Sequence, residues 1–278
     1  MTRVVQDAPI PTIPFNARIS RWFGRNVLRI YMIFGFTYLF IPVAYTFVFS
    51  FNDAGKSNLI WQSFTFRNWQ NPCGAPEVCN ALGNSIKIGF LATTFATILG
   101  TMIAFAIGRY QFKGRSSSNL LIFLPMATPE IVLGASLLSL FLLFKINPGF
   151  WPTVIAHVMF CVSFVVVTVK ARIASLDPKL EQAAMDLYAN EFETFRRVTL
   201  PLVAPGIAGA ALLAFSLSFD DFIITNFNSG TLITFPKFVY VSAARGIPAQ
   251  ANVIGSSMFF LALTIVVVGQ LVKGRKAR

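Results

Sequence analysis

Residues 177–201 read DPKLEQAAMDLYANEFETFRRVTLP, a charged amphipathic run set between long apolar segments. Asp177-Pro178 marks a helix start, because an acid there accepts hydrogen bonds from free amide groups and proline suits the first helical position. Leu180, Ala183, Ala184, Leu187 and Tyr188 then share one face at helical spacing, with Glu181, Gln182 and Asp186 largely on the other. Asn190 opens a second helix, with Glu193 three residues on as in a capping box. Phe192, Phe195 and Val198 continue an apolar stripe as far as Pro201. The stretch therefore predicts a helix, a turn and a second helix.

Outside this run the composition sets the class. The chain is 55% hydrophobic and 12% charged, with 30 phenylalanines in 278 residues, far from the balance of a soluble domain. It reads as a membrane protein. A net charge of +12 would suggest nucleic acid in a soluble chain, but no basic stripe interleaved with exposed aromatics is present, so no nucleic-acid partner is expected. The lysines and arginines instead anchor loops to anionic lipid.

Six spans are predicted: about 27–51, 84–108, 119–144, 150–169, 202–224 and 251–272, each long enough at 1.5 Å per residue for a hydrocarbon core of ~30 Å. Residues 1–26 and 273–278 form the tails, and the amphipathic run lies between the fourth and fifth spans. Arg3, Arg18, Arg21, Arg25 and Arg29, the 109–118 turn, the amphipathic run and the C-terminal Lys273, Arg275, Lys276 and Arg278 fall on one side. Only Lys56, Arg67, Lys145, Lys237 and Arg245 fall on the other. This asymmetry places both termini and the 177–201 run in the cytoplasm.

Acids inside spans are costly and mark candidate sites. Pro125 and Pro129 interrupt the third span and Glu130 follows, about 16 Å along the helix from Asn119 and so near the midplane. Glu130 reads either as a carboxylate lining a pathway for a cationic substrate or as a hydrogen-bonded packing residue. In the fifth span Asp220 and Asp221 repel one another, which favours a cation or a water-filled vestibule; a solvated helix end is the other reading.

Other chemistry is thin. Gly55-Lys56-Ser57 lacks the glycine a phosphate-binding loop needs, since Ser50 stands in its place. His157 and Cys161 lie one helical turn apart, but a metal site needs further ligands, so core polar contacts are the expected role. Cys73 and Cys79, in a loop facing an oxidising space, form either a disulfide or two free thiols.

Glu181-Gln182-Ala183-Ala184, Asp186-Leu187 and Leu200-Pro201 together resemble the loop that marks the membrane subunits of bacterial ABC importers, written EAA, three residues, Gly, nine residues, I-x-L-P. The family's glycine falls at Tyr188, so the left-handed turn is expected to move onto Ala189 and Asn190. The six spans, Pro129-Glu130 and Leu217-Ser218-Phe219-Asp220-Asp221 extend the likeness, over about Val27 to Val272, to the spermidine/putrescine importer permeases, which more often have aspartate where Glu130 stands.

The resemblance implies an all-α integral membrane protein with the type I ABC importer permease fold. It implies a coupling helix-turn-helix through Glu181, Ala183, Ala184, Asp186, Leu187, Tyr188, Leu200 and Pro201. Expected partners are a second related permease, two ATPase subunits, a substrate-binding protein outside and membrane lipid. ATP and Mg would sit on the ATPase, with no cofactor, metal or catalytic group on this chain, in a bacterial cytoplasmic membrane. The cargo would be polyamine, or another small solute of the same importer class. A secondary transporter would share proline breaks and buried acids but has no use for the docking loop.

Overall fold

The computed structural model describes residues 15–55, 57–244 and 246–276. Of the predicted tails, 1–14, 277 and 278 lie outside the described residues, whereas 15–26 and 273–276 continue the first and last helices; the side chains of 15–25, 270 and 272–278 are not described. The described residues are helical, with one isolated antiparallel bridge between Asn52 and Phe64.

Long apolar runs form long helices: α1 (Phe15–Phe49), a short α2 (Arg67–Gln70) and α3 (Pro76–Arg109). The last begins eight residues before the predicted span. Pro76 sits in its first turn, where a missing N–H is harmless, and Cys73 is joined to Cys79 across that turn by a disulfide with Cα atoms 5.5 Å apart. The pair is therefore bonded.

The third predicted span is two helices, α4 (Arg115–Ala127) and α5 (Glu130–Leu143), bent by 107°. Pro129 has no N–H and its ring drives Thr128 out of the helical region; both residues are extended, with ψ of 132° and 133°. Glu130 is thus the first residue of a new helix, and the straight count from Asn119 that put it at the midplane does not apply.

Next come α6 (Phe150–Ala174), α7 (Lys179–Asp186) and α8 (Glu191–Thr194). A π-turn over Phe195–Thr199 carries α8 into α9 (Leu200–Asp220), so the apolar helix runs unbroken from Glu191 to Asp220. The prediction ended a helix at Pro201 and began a span at Leu202. In the structure Pro201 lies just past the π-turn, where the hydrogen-bond ladder is already shifted and its missing N–H ends nothing. Short α10 (Ile223–Asn228) and α11 (Phe235–Ala243) lead to α12 (Ala249–Lys276).

Packing between α3, α6 and α9 forms the core. Ala92, Ala96, Gly100 and Ala104 recur every fourth residue along α3, all buried, and this small-residue stripe lets α6 approach closely. At Gly100 a Cβ would lie 2.6 Å from Val165 Cγ1. Val165, Val166, Val169 and Ile173 of α6 meet Val203, Ala210 and Ala214 of α9, and Leu133, Leu137 and Phe141 bring α5 onto the same cluster. By contrast α1 packs mainly along α12, through Phe40 on Phe259 and Phe47 on Phe260, and leaves Leu28, Tyr31, Phe34 and Leu39 exposed. An exposed apolar helix of this kind suits lipid.

Candidate functional site

At one end of the bundle the 177–201 loop folds as its caps dictate. Asp177 Oδ1 accepts from the Lys179 amide at 3.0 Å, opening α7. Asn190 Oδ1 accepts from Glu193 N at 2.8 Å while Glu193 Oε2 accepts from Asn190 N at 3.3 Å, the reciprocal capping box. Between them the Ala189 amide donates to Ala184 O and the Tyr188 amide to Met185 O, a Schellman turn.

The residue that this turn holds left-handed is Tyr188, at φ 64°, and not Ala189 or Asn190 as expected. Helix length fixes which residue occupies that place; Asn190, at φ −77°, is already used as the next helix's cap. The Tyr188 ring meets no neighbour that would forbid the conformation, being 98% exposed, beside Leu187 at 81%. Together with Phe192, 68% exposed, they give the loop an apolar tip.

Glu181 does not belong to that tip. Its Oε1 accepts from Arg109 Nη2 and from Thr199 Oγ1, both at 2.6 Å, tying α7 to the end of α3 and to the π-turn. Counting along the loop pattern with the glycine at Tyr188 and Leu-Pro at 200–201, the family's glutamate falls on Gln182, which is exposed, as are Ala183 and Asp186. Leu200 and Pro201 begin α9 and are not part of the exposed tip. The basic partner Arg109 was missed, since its only signal is a charge at the end of an apolar run.

Two helix breaks meet elsewhere in the bundle. The α10 segment packs against α5: Phe227 lies over Gly134, and Asn228 Nδ2 donates to the Gly134 and Ile224 carbonyls. This brings the start of α5 beside the end of α9 and opens a cavity of about 390 Å³, lined by Glu130, Phe160, Ser216, Asp220, Asp221 and Phe222. All three acids singled out from the sequence therefore face one space. Glu130 and Asp220 are exposed to it.

Asp221 is held differently. It caps α10, with Oδ1 accepting from Ile224 N at 3.2 Å and Oδ2 from Thr225 N and Oγ1, both at 2.8 Å. His157 of α6 closes the network: Nδ1 is 2.7 Å from Ser218 Oγ, and Nε2 is 3.0 Å from Thr225 Oγ1 and 3.3 Å from Asp221 Oδ2. With the Thr225 proton given to Asp221, its oxygen accepts from Nε2–H and Nδ1 accepts from Ser218, so every member is satisfied. Asp221 is buried and is not the solvated helix end that was one of its two readings. Cys161 does not join His157; its Sγ donates to Ala214 O at 3.5 Å. Among the described residues no group of three or more His, Cys, Asp or Glu is placed to hold a metal.

Three carboxylates around one cavity repel each other and make the space favourable for cations.

Comparison with known proteins gives the family and the fold. Residues 96–274 match the family described as "Binding-protein-dependent transport system inner membrane component". The chain is 34% identical over 255 residues to the spermidine/putrescine transport system permease protein PotC of Haemophilus influenzae, covering 91% of this chain and 98% of the relative. It is also 34% identical to the putrescine transport system permease protein PotI of Escherichia coli K12, over 81% and 83% of the two chains. In fold it is similar to a chain of a bacterial ABC transporter involved in the import of the acidic polysaccharide alginate, with a TM-score of 0.65 over 93% of this chain and 99% of the other, at 15% identity. An all-helical bundle with this loop is thus a type I ABC importer permease in fold, and the chain belongs to the family of binding-protein-dependent transport system inner membrane components.

Proposed function

We propose that this chain is the membrane-spanning permease subunit of an ATP-driven polyamine importer. The observation that carries the reading is the convergence of Glu130 and Asp220, from two broken helices, on one cavity. A polyamine presents ammonium groups on an apolar chain, and carboxylates beside Phe160 and Phe222 complement both parts. The names of the relatives, spermidine/putrescine and putrescine permeases, support the same cargo.

In this reading a second related permease completes the pathway, an extracytoplasmic binding protein delivers cargo, and two ATPase subunits hold ATP and Mg below. The apolar tip at Leu187, Tyr188 and Phe192 docks on an ATPase, with both termini on that cytoplasmic side. Closure of the ATPase pair moves α7, and Glu181 passes the displacement to α3 through Arg109, so that the spans rock between two access states. This chain conducts and couples; hydrolysis belongs to its partners.

The test is ATP-dependent uptake of labelled spermidine and putrescine into vesicles carrying the reconstituted complex, with Glu130→Gln and Asp220→Asn alongside. Saturable uptake that falls at least tenfold in each variant is expected. Cargo-independent ATP hydrolysis with neither polyamine moved would keep the importer and discard polyamine in favour of another small solute.

A further inference from the structure

Asp220 borders a second cavity as well as the acidic one. On its other side lies a space of about 630 Å³, walled by Phe219, Phe222, Val239, Tyr240 and Met258. Phe222 lines both spaces. Its ring stacks on that of Tyr240, with centroids 4.2 Å apart and planes at 29°. Asp220 is thus a carboxylate on the boundary between an acidic chamber and an aromatic one, and it makes no hydrogen bond or ion pair with protein among the described residues.

The aromatic wall is held in place. Tyr240 stands on α11, and α11 is pinned to the end of α10 by Lys237, whose Nζ donates to Ser229 Oγ at 2.8 Å, Gly230 O at 2.9 Å and Leu232 O at 3.3 Å. The Phe235 amide donates to Ser85 Oγ at 2.9 Å, fixing the same element to α3. Both anchors lie in the first turn of α11, and the stack of Tyr240 on Phe222 sets the far part of the wall beside Asp220.

Resting on the polyamine reading, we infer that this aromatic chamber is a second subsite, taking the distal aminoalkyl arm of a triamine across the Asp220 boundary, so that Phe222 and Tyr240 set the preference for longer over shorter polyamines. The chemistry is complementary throughout. Methylenes are buried against aromatic and aliphatic side chains, an ammonium meets the ring faces of the stacked pair, and Asp220 neutralises the amine that bridges the two spaces. A diamine fills the acidic chamber and leaves the aromatic one to water. A purely lipid-facing wall has no use for a carboxylate on its edge.

The experiment compares initial uptake rates of spermidine and putrescine in vesicles, each delivered by saturating loaded binding protein, for wild type, Tyr240→Leu and Tyr240→Phe, since Tyr240 lines the aromatic chamber and not the acidic one. Complex assembly is measured in parallel. The expected result is a fall of about tenfold in the spermidine-to-putrescine rate ratio for Tyr240→Leu, with assembly unchanged, and a ratio within about twofold of wild type for Tyr240→Phe, which keeps the ring. Equal loss of both substrates, an unchanged ratio, or a Tyr240→Leu chain that no longer assembles with the second permease would overturn the subsite; the last would mark the wall as an interface between permeases. A wild-type complex that moves neither polyamine removes the parent reading and the subsite with it.

Discussion

Nε2 of His157, in the first third of α6, lies 3.3 Å from Oδ2 of Asp221, the residue that caps α10. The contact joins a straight helix to the point where α9 breaks, and it explains how a chain can afford a buried acid there. Asp221 satisfies the free amides of α10 and is itself satisfied by Thr225 and His157, which leaves Asp220 to face the cavity. Adjacent acids thus have separate roles, one fixing the break and one lining the space beside it.

Replacing His157 tests that division. His157→Leu leaves Ser218 Oγ and one face of Asp221 without their partner in a dry region, and each orphaned group costs roughly 1–3 kcal/mol. The expected outcome is a lowered melting temperature of the detergent-solubilised complex, with His157→Gln retaining part of the loss because an amide reaches similar partners. Equal melting of His157→Leu and wild type would show that the network does not hold the break.

The Arg109–Glu181 pair makes a second prediction. Glu181→Lys sets two cations together at the base of α7, whereas the exchange Arg109→Glu with Glu181→Arg restores opposite charge. The pair is partly exposed, so the stability change is about 1 kcal/mol or less, and the larger effect falls on coupling. Polyamine moved per ATP hydrolysed is expected to drop severalfold in Glu181→Lys with normal membrane insertion, and to recover in the exchange. Normal uptake by Glu181→Lys would remove the coupling role.

Much of the docking loop was legible because its signals are local. The Asp177-Pro178 start and the Asn190–Glu193 box rest on spacings of a few residues and both appear in the structure, whereas the predicted faces of α7 do not: Leu187 and Tyr188 are exposed and Glu181 turns inward. What was not legible depends on distant partners. Arg109 and Glu181 are 72 residues apart, and His157 and Thr225 are 68 apart. Prolines announced the break before Glu130, but the 107° bend depends on how α10 seats on α5. Phe222 and Tyr240 were hidden by abundance, since 30 phenylalanines in the chain give no reason to single out one.

Tyr188 offers a third prediction, because its conformation and its exposure act in opposite directions. A non-glycine residue held left-handed costs about 1 kcal/mol, and Tyr188→Gly relieves this while keeping the Schellman turn. Slower hydrogen exchange at the Ala189 amide is therefore expected. The same change removes the exposed ring, so the ATPase subunit should be captured several times more weakly in a titration against the permease. Unaltered capture would place the docking surface elsewhere on the loop.

Two glycines separate close helix contact from open space. At Gly100 a Cβ would lie 2.6 Å from Val165 Cγ1 and 3.2 Å from the Val162 carbonyl, and Val165 is fully buried with no room to turn away. At Gly209 nothing lies within 4 Å. Gly100→Ala must therefore push α3 off α6, with an overpacking cost of about 1–3 kcal/mol spread along the small-residue stripe. Gly209→Ala adds a methyl in free space and removes a flexible residue from a helix, so its effect is neutral to slightly stabilising, within about 1 kcal/mol. Thermal unfolding of the two variants beside wild type is the check: a lowered melting temperature is expected for Gly100→Ala alone. If both variants melt together with wild type, close approach of α3 and α6 is not what holds the core, and the packing of α5 and α9 on α6 must carry it instead.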